Sequence, residues 1–107
     1  MDMIQRILNW FWPDKLFGAV RDPRWPKLRD WYFSKNLFCE ICGKRGKIIH
    51  HIYPFFLFPE LELSSENLIT VCDFCHLNFA HLGSFHSYEK DIKKIAKMWQ
   101  EKRKNRP

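Results

Sequence analysis

No stretch of this chain approaches the roughly 20 consecutive apolar residues needed to span a bilayer. The most apolar early segment, Ile7 to Trp12, is broken by Asn9 and stopped by Pro13. The opening residues, Met1-Asp-Met-Ile-Gln-Arg6, lack a basic stretch leading into a long apolar one, so no secretory leader and no membrane association are expected. Internal repeats and low-complexity tracts are also missing, which excludes a repeat architecture. Acidic residues are in deficit, 12 against 18 Lys and Arg. The resulting net charge of +6 favours a polyanionic partner such as nucleic acid.

What the chain does have is apolar and aromatic mass, with 46% hydrophobic and 17% aromatic residues, the composition of an ordered globular protein. At 107 residues it is most simply one domain, and a small one whose core needs a staple. A structural zinc, worth about 10–16 kcal/mol in small zinc peptides, is the obvious candidate. All four cysteines fall in two pairs, Cys39-Glu-Ile-Cys42 and Cys72-Asp-Phe-Cys75. Two-residue spacing lets each pair wrap one face of an ion, and two pairs complete a closed tetrahedral site. Two disulfides in an exported protein are the competing use of four cysteines. The missing leader argues instead for a reducing, cytoplasmic setting in which thiolates hold metal.

Periodicity supplies the elements. Met3, Ile4, Ile7, Leu8 and Phe11 predict a short amphipathic helix in an aromatic N-terminal extension, residues 1–24. Pro26 suits a first helical turn, and Trp25, Leu28, Trp31 and Tyr32 make an apolar stripe running to about Lys35. The turn from Cys39 to Gly46 reads as a zinc knuckle. Lys47 to Tyr53 and Leu68 to Val71 read as strands, joined by a long aromatic loop from Pro54 to Ser65, a length that favours a functional segment. Asp73 is the expected cap of a helix carrying Cys75, His76 and Phe79 and broken by Gly83. A last amphipathic helix is expected from Ser87, with Tyr88, Ile92, Ile95, Ala96 and Trp99 on one face and Lys97, Lys102, Arg103, Lys104 and Arg106 toward its end.

His50, His51, Asn67 and His76 remain. In the order His50-His51-Ile52, Asn67-Leu68-Ile69 and Cys72-x-x-Cys75-His76, the sequence resembles the HNH endonucleases of the ββα-metal type, particularly small phage and bacterial proteins of that family. The resemblance covers about residues 21–86. It implies an α+β fold: a small ββα-metal core over residues 25–86, stapled by zinc on Cys39, Cys42, Cys72 and Cys75, with flanking helices in residues 1–24 and 87–107. It implies His51 as general base, Asn67 as the residue holding the base-bearing loop, and His50 and His76 as ligands of a catalytic divalent ion. A further histidine in some relatives directs attention to His81. Five residues beyond His76 is about 140° around an α-helix, so His81 faces away from that site unless the helix loosens or ends.

These residue types suit phosphodiester hydrolysis in their own right. A neutral imidazole takes a proton from water near physiological pH, and a divalent ion neutralises charge on the phosphate and the leaving oxygen. Mg²⁺ or Mn²⁺, and also Ni²⁺ or Zn²⁺, are compatible with such a site. Adjacent strand residues point to opposite faces, so His50 and His51 share one site only where the strand twists or ends. The expected function is a metal-dependent DNA endonuclease or nickase of weak sequence preference. Its alternatives are an inactive zinc-stapled nucleic-acid-binding module, or an interaction module that docks a phage terminase or similar packaging partner through the aromatic N-terminus.

Overall fold

A computed structural model of the chain describes residues 3–4, 21–84 and 87–105. The helix expected between Met3 and Phe11, and the aromatic patch with its docking role, lie almost wholly outside those residues. Helix α1, Trp25–Lys35, places Pro26 in its first turn, where a missing N–H costs nothing. The Asp22 carbonyl and carboxylate accept from the N–H groups of Trp25 and Arg24 just ahead of it. Trp25 and Tyr32 are buried and Leu28 is half-buried, but Trp31 is 52% exposed, contrary to the expected stripe. The helix meets the core along the narrow line 25, 28, 32, and Trp31 stands about 100° round from Tyr32.

Strands β1, Ile48–His51, and β2, Leu68–Val71, form an antiparallel pair in which Ile48 faces Val71, Ile49 faces Thr70, His50 faces Ile69 and His51 faces Leu68. The first strand is shorter than expected. Beyond His51 the Ile52 N–H turns to the Asn67 carbonyl, and the Tyr53 backbone is taken by the Asn67 side chain. The outer edge of β2 is closed by Glu40, which exchanges backbone and side-chain bonds with Thr70, and by the Tyr32 hydroxyl, which donates to the Leu68 carbonyl. An edge covered in this way offers no template for another strand.

Between the strands, the loop carries turns of 3₁₀-helix at Pro59–Leu61 and Ser65–Asn67, with Leu57 buried beneath it. After β2, helix α2 begins as one α-turn, Asp73–Cys75, and widens into a π-turn, His76–Ala80. Its cap is Cys72, whose Sγ accepts from the Cys75 N–H, and not Asp73, which lies inside the first turn. Leu82 and Gly83 then adopt left-handed backbone angles and reverse the chain.

Helix α3, Ile92–Lys104, starts later than expected. The residues before it are spent elsewhere: the Glu89 N–H donates to the Ala80 carbonyl, and the Tyr88 ring packs tilted against Tyr53 and edge-on against Phe58. The strand pair thus has two cores. Ile69, Val71 and Ile52 meet Ala80, Ile92 and Ala96 on one face, whereas Leu68 meets Trp25 and Tyr32 on the other. No helix among the described residues is long and apolar enough to cross a membrane.

Gly46 shows how tightly the knuckle is set against β2. A Cβ there would lie 2.3 Å from Thr70 Cγ2 and 3.0 Å from the Leu37 carbonyl oxygen. Gly46→Ala should therefore lower stability by about 1–3 kcal/mol, the usual cost of overfilling a close contact, as read from the midpoint of urea unfolding. An unchanged midpoint would show that this contact relaxes freely.

Candidate metal centres and imidazole cavity

The antiparallel register sorts the chemistry to two ends. Cys39 and Cys42 precede β1 and Cys72 and Cys75 follow β2, so all four thiols gather where β1 begins and β2 stops. Their Sγ atoms lie within 4.8 Å of one another, and Cys42 and Cys72 are 3.6 Å apart. Zn–S bonds of about 2.3 Å give a tetrahedron of edge about 3.8 Å, so the cluster has the dimensions of a thiolate zinc site. In each pair the second cysteine's N–H points at the first one's sulfur at 3.5 Å, a donor suited to a thiolate. Burial raises the Cys39 thiol, but backbone donors from Cys42, Cys72 and Ile41 outweigh it and bring the group down to about 7. Burial pushes Cys42 and Cys75 up, and the neighbouring sulfurs push them further. A cation is what allows such a crowd of thiols to ionise together.

At the other end of β1 the imidazoles collect. His50, on the face toward α2, has its ring 5.1 Å from that of His76 and 4.8 Å from that of His81. The metal-binding atoms of these three residues lie within 4.8 Å of one another. His81 joins because the helix does loosen: its N–H donates to the His76 carbonyl, the five-residue bond of a π-turn, and the two Nε2 atoms come to 3.1 Å. Single π-turns are frequent at functional sites. The other nitrogen of His81, Nδ1, is 2.7 Å from the Ser87 carbonyl. A carbonyl only accepts, so Nδ1 carries the proton and Nε2 of the neutral ring keeps its lone pair. His50 Nε2 is buried with no hydrogen-bond partner. A buried orphan nitrogen beside two others that face each other is a donor set that fits a cation.

Burial first, then the neighbouring rings of His81, His76 and His51, hold His50 down to about 3. His76 is lowered by burial and by His81. Both rings are thus held toward the neutral form, the form that binds metal.

His51 occupies the opposite face of β1, its ring 4.2 Å from that of Trp25. Because the strand stops at His51, a single cavity of about 300 Å³ wraps round its end and is lined by His50 and His51 together with His76 and His81. The His51 Nε2 is 2.9 Å from the Glu62 carbonyl, so Nε2 donates and Nδ1 is left as the basic nitrogen. Burial lowers this imidazole despite that hydrogen bond. Asn67 holds the chain just beyond: its Oδ1 accepts from the Tyr53 N–H at 2.8 Å, and its Nδ2 donates to the carbonyls of Tyr53 and Leu61. A larger cavity of about 410 Å³ lies between the knuckle and α3, lined by residues such as Phe74 and Trp99, and contains none of the imidazoles.

Glu62, Trp25 and Ser87 were not among the expected site residues. Glu62 had a weak signal in the sequence, as one of two acids, with Glu60, inside the otherwise apolar run from Phe58 to Leu63. The carbonyls of Glu62 and Ser87 carry no side-chain signature at all. His86 lies outside the described residues.

Residues 39–79 match the family model described as HNH endonuclease. No curated protein and no solved structure gave a match. The matched segment begins at the first cysteine and ends within the π-turn, so it contains the thiol cluster, both strands, His50, His51, Asn67 and His76. His81 and Arg21 fall outside it.

Two outcomes follow from this geometry. Purified protein should carry one zinc per chain by mass spectrometry, and Cys72→Ala should abolish both the zinc and the cooperative thermal transition, since structural zinc is worth about 10–16 kcal/mol. Retention of both by the variant would contradict the thiolate site. The second concerns acid. An unfolded His50 titrates near 6.5 and the folded one near 3, so the unfolded chain takes up the proton first. Its contribution is complete above pH 6.5 and is lost as the pH falls from 6.5 toward 3. Urea midpoints should drop across that window and drop less steeply in His50→Gln.

Proposed function

The chain carries an HNH endonuclease domain, and on that premise we propose that it is a metal-dependent endonuclease or nickase that hydrolyses DNA phosphodiester bonds. The observation that carries this reading is the orientation of His51. The Glu62 carbonyl occupies Nε2, and the ring, with Nδ1 basic, lines the same cavity as three converging imidazoles. In this reading His51 Nδ1 removes the proton from the attacking water, and the Glu62 carbonyl steadies the imidazolium that results. Asn67 fixes the backbone at Tyr53, two residues beyond His51, and so keeps the base from drifting along the chain. His50, His76 and His81 would hold the divalent ion, with Ser87 orienting His81. Such an ion supplies charge neutralisation at the phosphate and the leaving oxygen.

Three imidazoles favour Ni²⁺ or Zn²⁺ over Mg²⁺ in affinity, with Mn²⁺ the weakest binder of the transition ions. The four thiolates would hold a separate zinc that takes no part in the chemistry. One site per chain makes a nick the elementary event, and cutting both strands requires a second copy or a second encounter. The surplus of Lys and Arg serves to neutralise backbone phosphates.

The reading is tested on supercoiled plasmid with Ni²⁺, Mn²⁺ or Mg²⁺ added. Wild-type protein should relax the plasmid only with divalent ion, and His51→Ala of equal zinc content should be slower by about 10²–10⁴-fold, the range of general-base catalysis. Equal rates for the two proteins would remove His51 from the chemistry. Plasmid, single-stranded and branched DNA all left uncut but bound would replace catalysis with simple nucleic-acid binding.

A further inference from the structure

The cavity of about 410 Å³ between the knuckle and α3 holds none of the imidazoles, and nothing in the nuclease reading uses it. We propose that this groove takes an unpaired nucleobase of a DNA strand, with Phe74 as its stacking platform and Lys44 on the adjoining phosphate. The inference rests on the nuclease reading above for its choice of ligand, and deepens it by naming the substrate class, DNA with a single-stranded stretch beside the cut. Three observations carry it.

The first is an aromatic wall that the fold leaves open. Phe74, Phe79 and Trp99 line the groove in series, edge to face, with successive ring centroids 6.5 Å and 6.1 Å apart. Phe79 and Trp99 pack partly against the core, whereas Phe74 is 66% exposed. Phe74 lies between Cys72 and Cys75 in the first turn of α2, so the thiol cluster anchors its backbone on both sides. A fixed, solvent-facing ring beside a concave wall is the element on which single-stranded bases stack. Bases inside a duplex are already stacked on their neighbours and do not reach it.

The second is charge. Apart from the thiols, the ionisable side chains lining the groove are Lys44 and Arg103, both cationic, and Lys102 places its ammonium 5.1 Å from the Trp99 ring centroid. Arg103 is committed to the Ile41 carbonyl, while Lys44 is exposed and has no ion pair among the described residues. Asp73, next to Phe74 in the chain, is taken by Lys47. Rings bordered by cations, with no acid in the lining, complement a base and its phosphate.

The third is position. Helix α2 is the partition between the two cavities: Phe74 and Phe79 line the groove, and His76 lines the imidazole cavity from the same short helix. The separation is thus on the order of one helix diameter, about 10 Å. About three nucleotides cover that distance at roughly 3.4 Å each. A strand held at the imidazoles therefore reaches the groove, which favours nucleic acid over an acidic peptide as the occupant.

The test is fluorescence anisotropy of a labelled oligothymidylate and of a labelled duplex, both without divalent ion. Wild-type protein is compared with Phe74→Ala, Lys44→Ala and the control Trp31→Ala, all of equal zinc content. Trp31 is also an exposed ring, but it lies on α1 and outside the groove. Phe74→Ala should bind the oligothymidylate about tenfold more weakly, the order expected for one lost stacking platform, and the duplex with wild-type affinity. Lys44→Ala should lower the slope of log affinity against log salt by about 0.7, one phosphate contact on a single strand, and Phe74→Ala should leave that slope unchanged. Trp31→Ala should match wild type throughout. Undiminished oligothymidylate binding by Phe74→Ala, an equal loss on single strand and duplex, or an unchanged slope in Lys44→Ala overturns the proposal. So does wild-type protein that ignores oligothymidylate yet holds an acidic aromatic peptide in a Phe74-dependent way, which assigns the groove to a protein partner. Because no cleavage is read, plasmid left uncut with this binding pattern intact sinks the nuclease reading and leaves the groove standing.

Discussion

A ladder of four residue pairs cannot hold itself together in water, because an isolated two-stranded hairpin is marginal at best. Here the ladder is clamped at the end where β1 begins and β2 stops. The knuckle before β1 and the cap of α2 after β2 bring their sulfurs to within reach of one ion. Glu40, between the two cysteines of the knuckle, then reaches across to Thr70, and the Gln100 amide of α3 donates to the Glu40 carbonyl. Loss of the clamp would free the knuckle, the start of α2 and the seat of α3 together. The site at the far end of the strands depends on this clamp although it touches none of the sulfurs.

That far end achieves a convergence that regular geometry forbids. Alternation along a strand separates His50 from His51, and α-helical spacing separates His76 from His81. Each conflict is relieved by a local departure from regularity: β1 ends at His51, which opens a cavity round its tip, and α2 widens by one residue per turn at His76. The return of the chain is costly in backbone terms, with Leu82 in a left-handed conformation. Its carbonyl contacts, Ser87 to His81 and Ala80 to Glu89, hold the loosened turn in place.

Side-chain chemistry in this chain was more legible than its conformation. Spacing alone announced the thiolate cluster, and the resemblance of His50, His51, Asn67 and His76 to a known arrangement led to a cavity in which the three histidines meet. Both strands and the helix at Trp25 follow from period and from proline. The π-turn was unreadable, because it depends on tertiary contacts that reward His81 for facing inward and on no residue type. Backbone carbonyls likewise orient His51 and His81 without leaving a mark in the sequence. Trp31 misled for a related reason: five aromatic or apolar residues in one short helix, Trp25, Leu28, Trp31, Tyr32 and Phe33, exceed what a two-stranded sheet can cover, and the Trp31 ring is left outside.

The central claim is that two metal sites of different softness coexist, thiolates at one end of the strand pair and imidazoles at the other. It is tested most directly by crystallising the protein with added Ni²⁺ and recording anomalous scattering at the zinc and nickel edges. The account predicts a zinc peak enclosed by Cys39, Cys42, Cys72 and Cys75, and a nickel peak against His50, His76 and His81 beside His51. Nickel bound elsewhere, with the three imidazoles turned apart or His81 directed to solvent, would contradict it.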